Sequence, residues 1–264
     1  MPLFRRRITP RLSYIICSGL RTGSTLLCEA LRRTGIAGRP AEYFNPNEPT
    51  ASYRREYLGA TMDKKYLRKV VAMSTTPNGV FGTKVHFEQL PVLVSKIDAE
   101  GGRPSAPVAR ILEARFPNLH YLWLRRKNDV RQAISLYRAV KTRVWWEFPG
   151  GYPPMYRQAE EPGGDGAFNF DEIVRHLSFV RENTARWEEF FARNGITPLE
   201  ITYEALDANY EETVSRVLYF LGLPVSTPIP PRNTKRQADI LTDEWEKEFL
   251  RLARLARLQG EEFE

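Results

Sequence analysis

Apolar and polar positions follow two different periodicities along the chain. Short runs of β-branched and aromatic residues, bounded by glycine, proline or polar residues, predict strands at residues 14–17, 79–84, 120–124 and 198–203. Apolar residues that recur every three or four positions predict helices at residues 24–34, 108–116, 129–144, 171–194, 210–221 and 242–258. Because strands that alternate with helices form parallel sheets, we expect an α/β fold with a central parallel β-sheet flanked by helices. Ligands of such folds bind beyond the carboxyl ends of the strands.

The strand and helix patterns extend through the chain without an internal repeat, so we predict a single domain over residues 1–264. Residues 148–169 interrupt the pattern, because they contain too much glycine and proline to continue either neighbouring helix. We predict a mobile lid or acceptor-side loop there. A linker between two domains is the competing interpretation.

Net charge, cysteine content and the length of the apolar runs indicate which partners and which cellular compartment the protein is suited to. The net charge of +7 favours polyanionic partners, such as nucleotides, sulfated sugars, nucleic acid or acidic lipids, without choosing among them. The two cysteines, Cys17 and Cys28, lie in apolar runs, so no disulfide framework is expected and a reducing cytoplasm fits. No apolar run reaches the roughly 20 residues of a membrane-spanning helix, so we expect a cytoplasmic protein without an integral membrane segment.

A phosphate-binding loop is predicted where the first strand runs through a glycine-containing turn directly into a helix, at residues 14–27. Free amides and the helix dipole attract anions at such a helix start. Gly23 lets the backbone approach an anion, and Arg21 adds a fixed positive charge. The candidate phosphate ligands are Arg21, Thr22, Gly23, Ser24 and Thr25.

Two other classes of protein compete with this interpretation. A nucleotide kinase or related nucleoside triphosphatase uses a lysine before the last hydroxyl residue of its loop, but Ser24 occupies that position here. A basic nucleic-acid-binding protein is favoured by the sequence pI near 9.4 and by Trp145 and Trp146 beside Arg143. The chain has no recognisable module for reading nucleic acid.

A second basic turn follows the strand predicted at residues 120–124. Arg126 ends that strand, and Ser135 lies about two turns into the following helix, so the two side chains can meet one phosphate. Arg125 is the other candidate, although the spacing to Ser135 favours Arg126. A solvated cluster of basic residues is the alternative explanation for this turn.

Together the two turns resemble the sulfotransferases that use 3′-phosphoadenosine 5′-phosphosulfate (PAPS), and the match is closer to the bacterial trehalose sulfotransferase family. The matching blocks occur in family order at residues 21–27 (RTGSTLL), 34–44 (TGIAGRPAEYF), 77–84 (PNGVFGTK), 132–135 (QAIS), 138–145 (RAVKTRVW) and 236–239 (RQAD). The resemblance implies a sulfotransferase fold with PAPS as co-substrate and a carbohydrate or glycolipid acceptor. Trehalose, another glycan, a glycolipid and a nodulation-type oligosaccharide all stay open as acceptors.

The resemblance also implies roles for individual residues. The first loop holds the 5′-phosphosulfate, Arg126 and Ser135 hold the 3′-phosphate, and Arg236 lies in a segment that closes over the nucleotide. On this view two separated basic pockets bind opposite ends of one nucleoside. Glu42 matches the family's proposed catalytic glutamate, which takes the proton of the acceptor hydroxyl. From the residues alone, a surface carboxylate paired with Arg39 is at least as well supported.

Other residues near the predicted chemistry have both a functional and a structural interpretation. Lys84 is a candidate contact for the sulfuryl group or the acceptor, or else a solvent-facing strand end. His86 is an alternative base, although a single histidine at a strand end more often packs or forms hydrogen bonds. The Tyr203–Glu204 step matches the family, although Tyr203 is also suited to packing beneath a helix. The histidines and cysteines lack the spacing of metal ligands, and sulfuryl transfer by the proposed route requires no metal.

The last predicted helix is amphipathic. Its apolar positions are Trp245, Phe249, Leu252, Leu255 and Leu258, and Thr242 is the expected N-cap. We expect this helix to dock on the domain core, with a dimer contact and an anionic membrane surface as the alternatives. The resemblance alone makes a homodimer plausible.

Overall fold

The computed structural model describes residues 8–46, 58, 62–63, 65–98, 106–148, 164, 166–235 and 240–258. The strands are β1 Leu12–Ser18, β2 Val80–His86, β3 Leu119–Arg125 and β4 Leu199–Thr202. The helices are α1 Ser24–Arg33, α2 Tyr66–Ser74, α3 Leu90–Asp98, α4 Val108–Arg115, α5 Asp129–Thr142, α6 Phe170–Asn194, α7 Tyr203–Ala208, α8 Tyr210–Phe220 and α9 Ile240–Leu258. A short 3₁₀ helix, Phe87–Gln89, joins β2 to α3.

The four strands form one parallel sheet in the order β2-β1-β3-β4, which confirms the predicted fold class. Its register pairs Ser18 with His86 on one side of β1 and with Leu124 on the other side. The carboxyl ends of these three strands therefore meet at one edge. After β2 the chain crosses β1 to reach β3, so the strand order reverses between β1 and β3. Open α/β sheets bind ligands at this switch point.

Helices cover both faces of the sheet, which explains why every residue of β1 is buried. Tyr14 and Ile16 face a core that includes side chains of α1 and α8. Ile15 and Cys17 point to the opposite core, which is formed with α2, α3, α4 and α6. Cys17 and Cys28 are both buried and free.

The structure differs from the predicted elements near the sheet edge. The strand predicted at residues 79–84 extends to His86, because its pairing with β1 continues to Ser18. The strand predicted at residues 198–203 ends at Thr202, whose side chain accepts a 3.2 Å hydrogen bond from the amide of Ala205. This cap starts α7 at Tyr203, since a capped amide stabilises the first helical turn. Helices α2, α3 and α7 have no counterpart among the predicted helices.

The C-terminal helix docks on α5, as expected. Arg131 of α5 pairs with Asp243 at 2.6 Å and with Glu246 at 2.8 Å, while Trp245 and Phe249 are buried. Two details of the prediction are wrong. The helix begins at Ile240, so Thr242 is not its N-cap, and Leu255 and Leu258 are exposed because the buried side turns away from them. Among the helices that the structure describes, none is both long and apolar enough to cross a membrane.

Candidate active site

The loop between β1 and α1 contains two residues with left-handed backbone conformations. Arg21 has φ 63° and Gly23 has φ 79°. A left-handed conformation is unfavourable for arginine, so the loop needs external support. Gln132 supplies it by donating a 2.7 Å hydrogen bond to the carbonyl of Leu20, and Thr22 donates to the carbonyl of Gly19 at 3.0 Å. Contacts within the protein therefore hold the loop in this shape.

Arg21 connects this loop to the second basic segment. Its Nε donates a 3.0 Å hydrogen bond to the Oγ of Ser135, and its Nη1 donates to the carbonyl of Trp145. Burial, together with the nearby positive charges of Arg126 and Arg138, lowers the pKa of Arg21 to about 10. The two basic turns thus form one cationic cluster instead of two separated pockets. An anion in this cluster would relieve the repulsion among its guanidinium groups.

Arg125 and Arg126 point in different directions at the end of β3. Arg125 pairs with Glu200 at 2.6 Å and lies over the ring of Trp123, at the β3–β4 side of the sheet. Arg126 lies over the ring of Tyr203, 4.7 Å from its centroid, and is close enough to affect the titration of Arg21. The structure therefore places Arg126, and not Arg125, in the cationic cluster.

Tyr203 packs against both basic turns. A Cβ atom added to Gly23 would lie 2.6 Å from the Cδ2 of Tyr203, so only glycine fits at that position. Glu204 accepts hydrogen bonds from the amides of Lys127 and Asn128, at 3.1 and 3.3 Å, which fixes the start of α5. The Tyr203–Glu204 step thus holds the loop after β1 and the turn after β3 against each other.

A buried carboxylate lies close to this loop. The side chain of Glu42 is only 9% exposed, and its Oε2 is 2.5 Å from the Nζ of Lys84. The proposed surface pair with Arg39 is wrong, because the Nη1 of Arg39 donates to the carbonyls of Met73 and Thr75. The alternative of a solvent-facing Lys84 is also wrong, since its side chain is 5% exposed.

Three more side chains, those of Gln89, Asn45 and His86, contact the carboxylate of Glu42. The Oε1 atom accepts 2.7 Å hydrogen bonds from Gln89 and Asn45, and the Nε2 of His86 is 3.3 Å from the Oε2 atom. Burial raises the pKa of Glu42, but Lys84 and His86 outweigh it and hold the pKa well below its ordinary value. Glu42 is therefore ionised at neutral pH.

His86 joins Glu42 to the end of β1. Its Nδ1 lies 3.2 Å from the Oγ of Ser18 and 3.0 Å from the carbonyl oxygen of the same residue, which accepts a 3.2 Å hydrogen bond from Trp187. Nδ1 accepts from the Ser18 hydroxyl, so Nε2 carries the hydrogen that is donated to Glu42. Ser18 directly precedes the loop that contains Arg21. The carboxylate and the cationic cluster therefore share one edge of the sheet, with His86 between them.

The sequence interpretation located most of these groups and missed several others. Ser24 is buried at the first turn of α1 and Thr25 is half-buried beside it. Arg236 lies outside the described residues, as does most of the predicted loop at 148–169. The missed residues are Asn45, Gln89, Gln132 and Arg138. Gln132 and Arg138 belong to blocks that carry the family resemblance, whereas no sequence signal marked Gln89 or Asn45.

No group of three or more His, Cys, Asp or Glu side chains within the described part of the chain is arranged to hold a metal ion. The cationic cluster around Arg21 is suited to binding anions, and the ionised carboxylate of Glu42 lies at the same sheet edge. A nucleotide with two phosphate groups fits the cationic cluster in charge, and the carboxylate suits removal of a proton from a bound hydroxyl.

Known proteins are similar to this chain over most of its length. The trehalose 2-sulfotransferase of Mycolicibacterium smegmatis is 31% identical over 263 residues, covering 90% of this chain and 94% of that protein. The trehalose 2-sulfotransferase of Mycobacterium tuberculosis is 31% identical over 261 residues, covering 88% and 92%. A solved sulfotransferase from Alicyclobacillus acidocaldarius aligns with 96% of this chain and 97% of its own, at 12% identity and a TM-score of 0.47.

The sequence pattern of the Stf0 sulphotransferase family matches residues 13–251, which include both basic turns and Glu42. The chain therefore belongs to the Stf0 sulphotransferase family and is a sulfotransferase.

Proposed function

We propose that the protein transfers a sulfuryl group from PAPS to a hydroxyl group of a carbohydrate, with Glu42 as the general base. The observation that carries this proposal is the position of the Arg21 cluster and of Glu42 at one sheet edge, joined through His86 and Ser18. The sugar acceptor is supported by the two curated relatives, both of which are named trehalose 2-sulfotransferase.

Donor recognition in this proposal uses the two basic turns. Arg21 and residues 22–25 bind the 5′-phosphosulfate, whose charge suits the amides at the start of α1. Arg126 and Ser135 bind the 3′-phosphate, since Arg126 lies in the cluster while Arg125 is paired with Glu200. The family resemblance alone places Arg236 in a segment that closes over the bound donor nucleotide.

The chemistry is a direct displacement at sulfur. The acceptor oxygen bonds to sulfur while the bond from sulfur to the bridging phosphate oxygen breaks, and the electron pair leaves on the phosphate. The proton of the acceptor hydroxyl passes to Glu42, which is ionised and therefore able to accept it. Arg21 and Lys84 stabilise the charge that develops on the leaving oxygen and the sulfuryl group. No metal is needed for these steps.

Several broader features belong to the same proposal. Membership of a sulfotransferase family sets aside the nucleotide kinase and the nucleic-acid-binding protein as classes. Residues 1–264 act as one sulfotransferase domain, with residues 148–169 on the acceptor side. The two free, buried cysteines fit a cytoplasmic location. A homodimer stays in the proposal by resemblance, and light scattering at several protein concentrations tests it.

The direct test uses radiolabelled PAPS with trehalose, other glycans and glycolipids as acceptors. We expect label to appear in at least one carbohydrate, and calorimetry to detect binding of adenosine 3′,5′-bisphosphate. Affinity for oligonucleotides without affinity for the bisphosphate would contradict the proposed donor. Binding of the bisphosphate without transfer to any sugar would contradict only the proposed acceptor class.

A further inference from the structure

The carboxylate of Glu42 is surrounded by four hydrogen-bond donors. Gln89 and Asn45 donate to Oε1, and Lys84 and His86 contact Oε2. A carboxylate has about four positions at which it accepts hydrogen bonds. All of them are therefore filled, and Glu42 has no position left for the proton of an acceptor hydroxyl. One donor has to leave before Glu42 can act as a base.

Two of the four donors are fixed by further contacts. The Nδ1 of His86 accepts a 3.2 Å hydrogen bond from the Oγ of Ser18, which keeps Nε2 facing Glu42. The Oε1 of Gln89 accepts a 3.2 Å hydrogen bond from the amide of His86, which closes a reciprocal cap at the start of the 3₁₀ helix. Movement of either side chain would break a second buried hydrogen bond.

Lys84 differs from the other donors in charge and in freedom of movement. Within the described residues its ammonium pairs with no carboxylate other than Glu42. Its four-carbon stem lets the charged group move while the backbone stays in β2. Asn45 is neutral, so the oxygens of an arriving sulfuryl group attract Asn45 less strongly than they attract the charged Lys84. An arriving sulfuryl group therefore competes with Glu42 chiefly for Lys84.

Resting on the proposed function, we propose that Lys84 exchanges partners when the donor binds. It holds Glu42 until the sulfuryl group arrives, then moves to a sulfuryl or bridging oxygen and leaves Oε2 open to the acceptor's proton. Separation without a replacement anion would leave two buried charges unpaired, which is strongly unfavourable. The exchange therefore makes Glu42 available only when the group to be transferred is present.

The electrostatics of Glu42 agree with this exchange. A carboxylate whose pKa is held far down by a cation is a weak base, and base catalysis improves as the pKa rises towards the working pH. Departure of Lys84 removes the largest attraction on Glu42 and leaves His86, Gln89 and Asn45 to position it. During transfer the proton goes to Oε2, while Lys84 faces the oxygen that takes up charge.

A binding experiment separates the exchange from the function on which it depends. Affinities of the wild type and Lys84→Met are measured for PAPS and for adenosine 3′,5′-bisphosphate, without acceptor. Because only PAPS has a sulfuryl group, Lys84→Met should weaken PAPS binding by about tenfold or more and leave bisphosphate binding within about twofold. Lys69→Met is the matched control, since Lys69 contacts Asp63 and the carbonyl of Leu58 instead.

The binding results distinguish failure of the proposed function from failure of the Lys84 exchange. If the wild type binds neither nucleotide, both the proposed function and the exchange fail. If the wild type binds both, but Lys84→Met weakens both equally or neither, only the exchange fails.

Crystal structures of the wild type give a second readout that does not depend on a variant. With the bisphosphate, the 2.5 Å contact between Lys84 and Glu42 should persist. With PAPS and no acceptor, the same atoms should separate beyond about 4 Å, the limit of an ion pair. A pair that stays intact with PAPS bound would overturn the exchange and leave the donor assignment standing.

Discussion

The Nε of Arg21 donates a 3.0 Å hydrogen bond to the Oγ of Ser135, although 114 residues separate them in the chain. This contact joins the loop after β1 to a helix that starts after β3. It forms because β1 and β3 are neighbours and their carboxyl ends share one edge. In the proposed function, both ends of the bisphosphorylated nucleoside contact one continuous cluster, so donor binding shares or replaces this hydrogen bond.

The adjacent arginines at the end of β3 offer a matched pair of variants. We expect Arg126→Met to raise the Kd for adenosine 3′,5′-bisphosphate by about tenfold to a hundredfold, since it removes a charge from the cluster. Arg125→Met should leave the Kd within about twofold, because Arg125 pairs with the half-exposed Glu200 outside the cluster. Calorimetric titration measures both values. An equal effect of the two variants would contradict the placement of the 3′-phosphate.

Replacement of Glu42 by glutamine tests the base directly. Glu42→Gln should lower kcat by about a hundredfold or more, because a general base contributes about that much. Bisphosphate affinity should change little, since Glu42 lies outside the cationic cluster. Glu113→Gln is the control, as Glu113 pairs with the exposed Arg110 on the surface. Circular dichroism checks folding, and near-normal turnover by folded Glu42→Gln would end the assignment.

The low pKa of Glu42 also predicts how stability depends on pH. An unfolded glutamate has a pKa of about 4.3, and the folded value lies well below its ordinary range. The folded state therefore binds fewer protons than the unfolded state near pH 4. The stabilisation of the fold by ionised Glu42 is fully present above the unfolded pKa and is lost as the pH falls through the folded pKa. Protonated Glu42 is neutral, as glutamine is, so the wild type and Glu42→Gln should become similar in stability at low pH.

Urea unfolding measures this effect as the difference in unfolding free energy between the wild type and Glu42→Gln. The difference should be largest near neutral pH and should shrink as the solution is acidified below about pH 4. A difference that stays constant over this range would show that the ionised form of Glu42 does not stabilise the fold.

The contact between Gly23 and Tyr203 predicts a position-specific penalty. Gly23→Ala and Gly35→Ala both place alanine at a positive φ, which costs about 1 kcal/mol each. Only Gly23→Ala also drives a Cβ atom into the ring of Tyr203, whereas Gly35 has no atom within 4 Å of the added Cβ. We expect Gly23→Ala to lower both the unfolding free energy and the bisphosphate affinity more than Gly35→Ala. Equal losses in thermal melts and titrations would contradict the packing role of Tyr203.

Local patterns were sufficient for the elements that carry the donor loop. The apolar run of β1, the turn at Gly23 and the amphipathic α1 are adjacent in the chain, so their succession is visible in the residues themselves. The spacing to Ser135 likewise favoured Arg126 over Arg125 as a phosphate ligand, and Arg126 is the one of the two that lies near Arg21. These inferences use distances along a strand or a helix, which the sequence specifies.

The surroundings of Glu42 depend on contacts between distant segments. Lys84 and His86 meet Glu42 because β2 pairs with β1 along its full length, and Gln89 follows because β2 leads into the 3₁₀ helix. The pattern around Glu42 is equally compatible with a surface carboxylate paired with Arg39. Burial and pairing arise when separate elements close over one side chain, and no local periodicity records which elements will do so.

The sequence by itself therefore determined the α/β class, the loop at Arg21 and the identity of the residues able to take part in the chemistry. The tertiary structure alone decided that Arg21 meets Ser135, that Arg125 turns away, and that Glu42 is enclosed by four donors. The reason is that hydrogen bonding and charge pairing are governed by distance in space, whereas the sequence fixes distance only along each strand and helix.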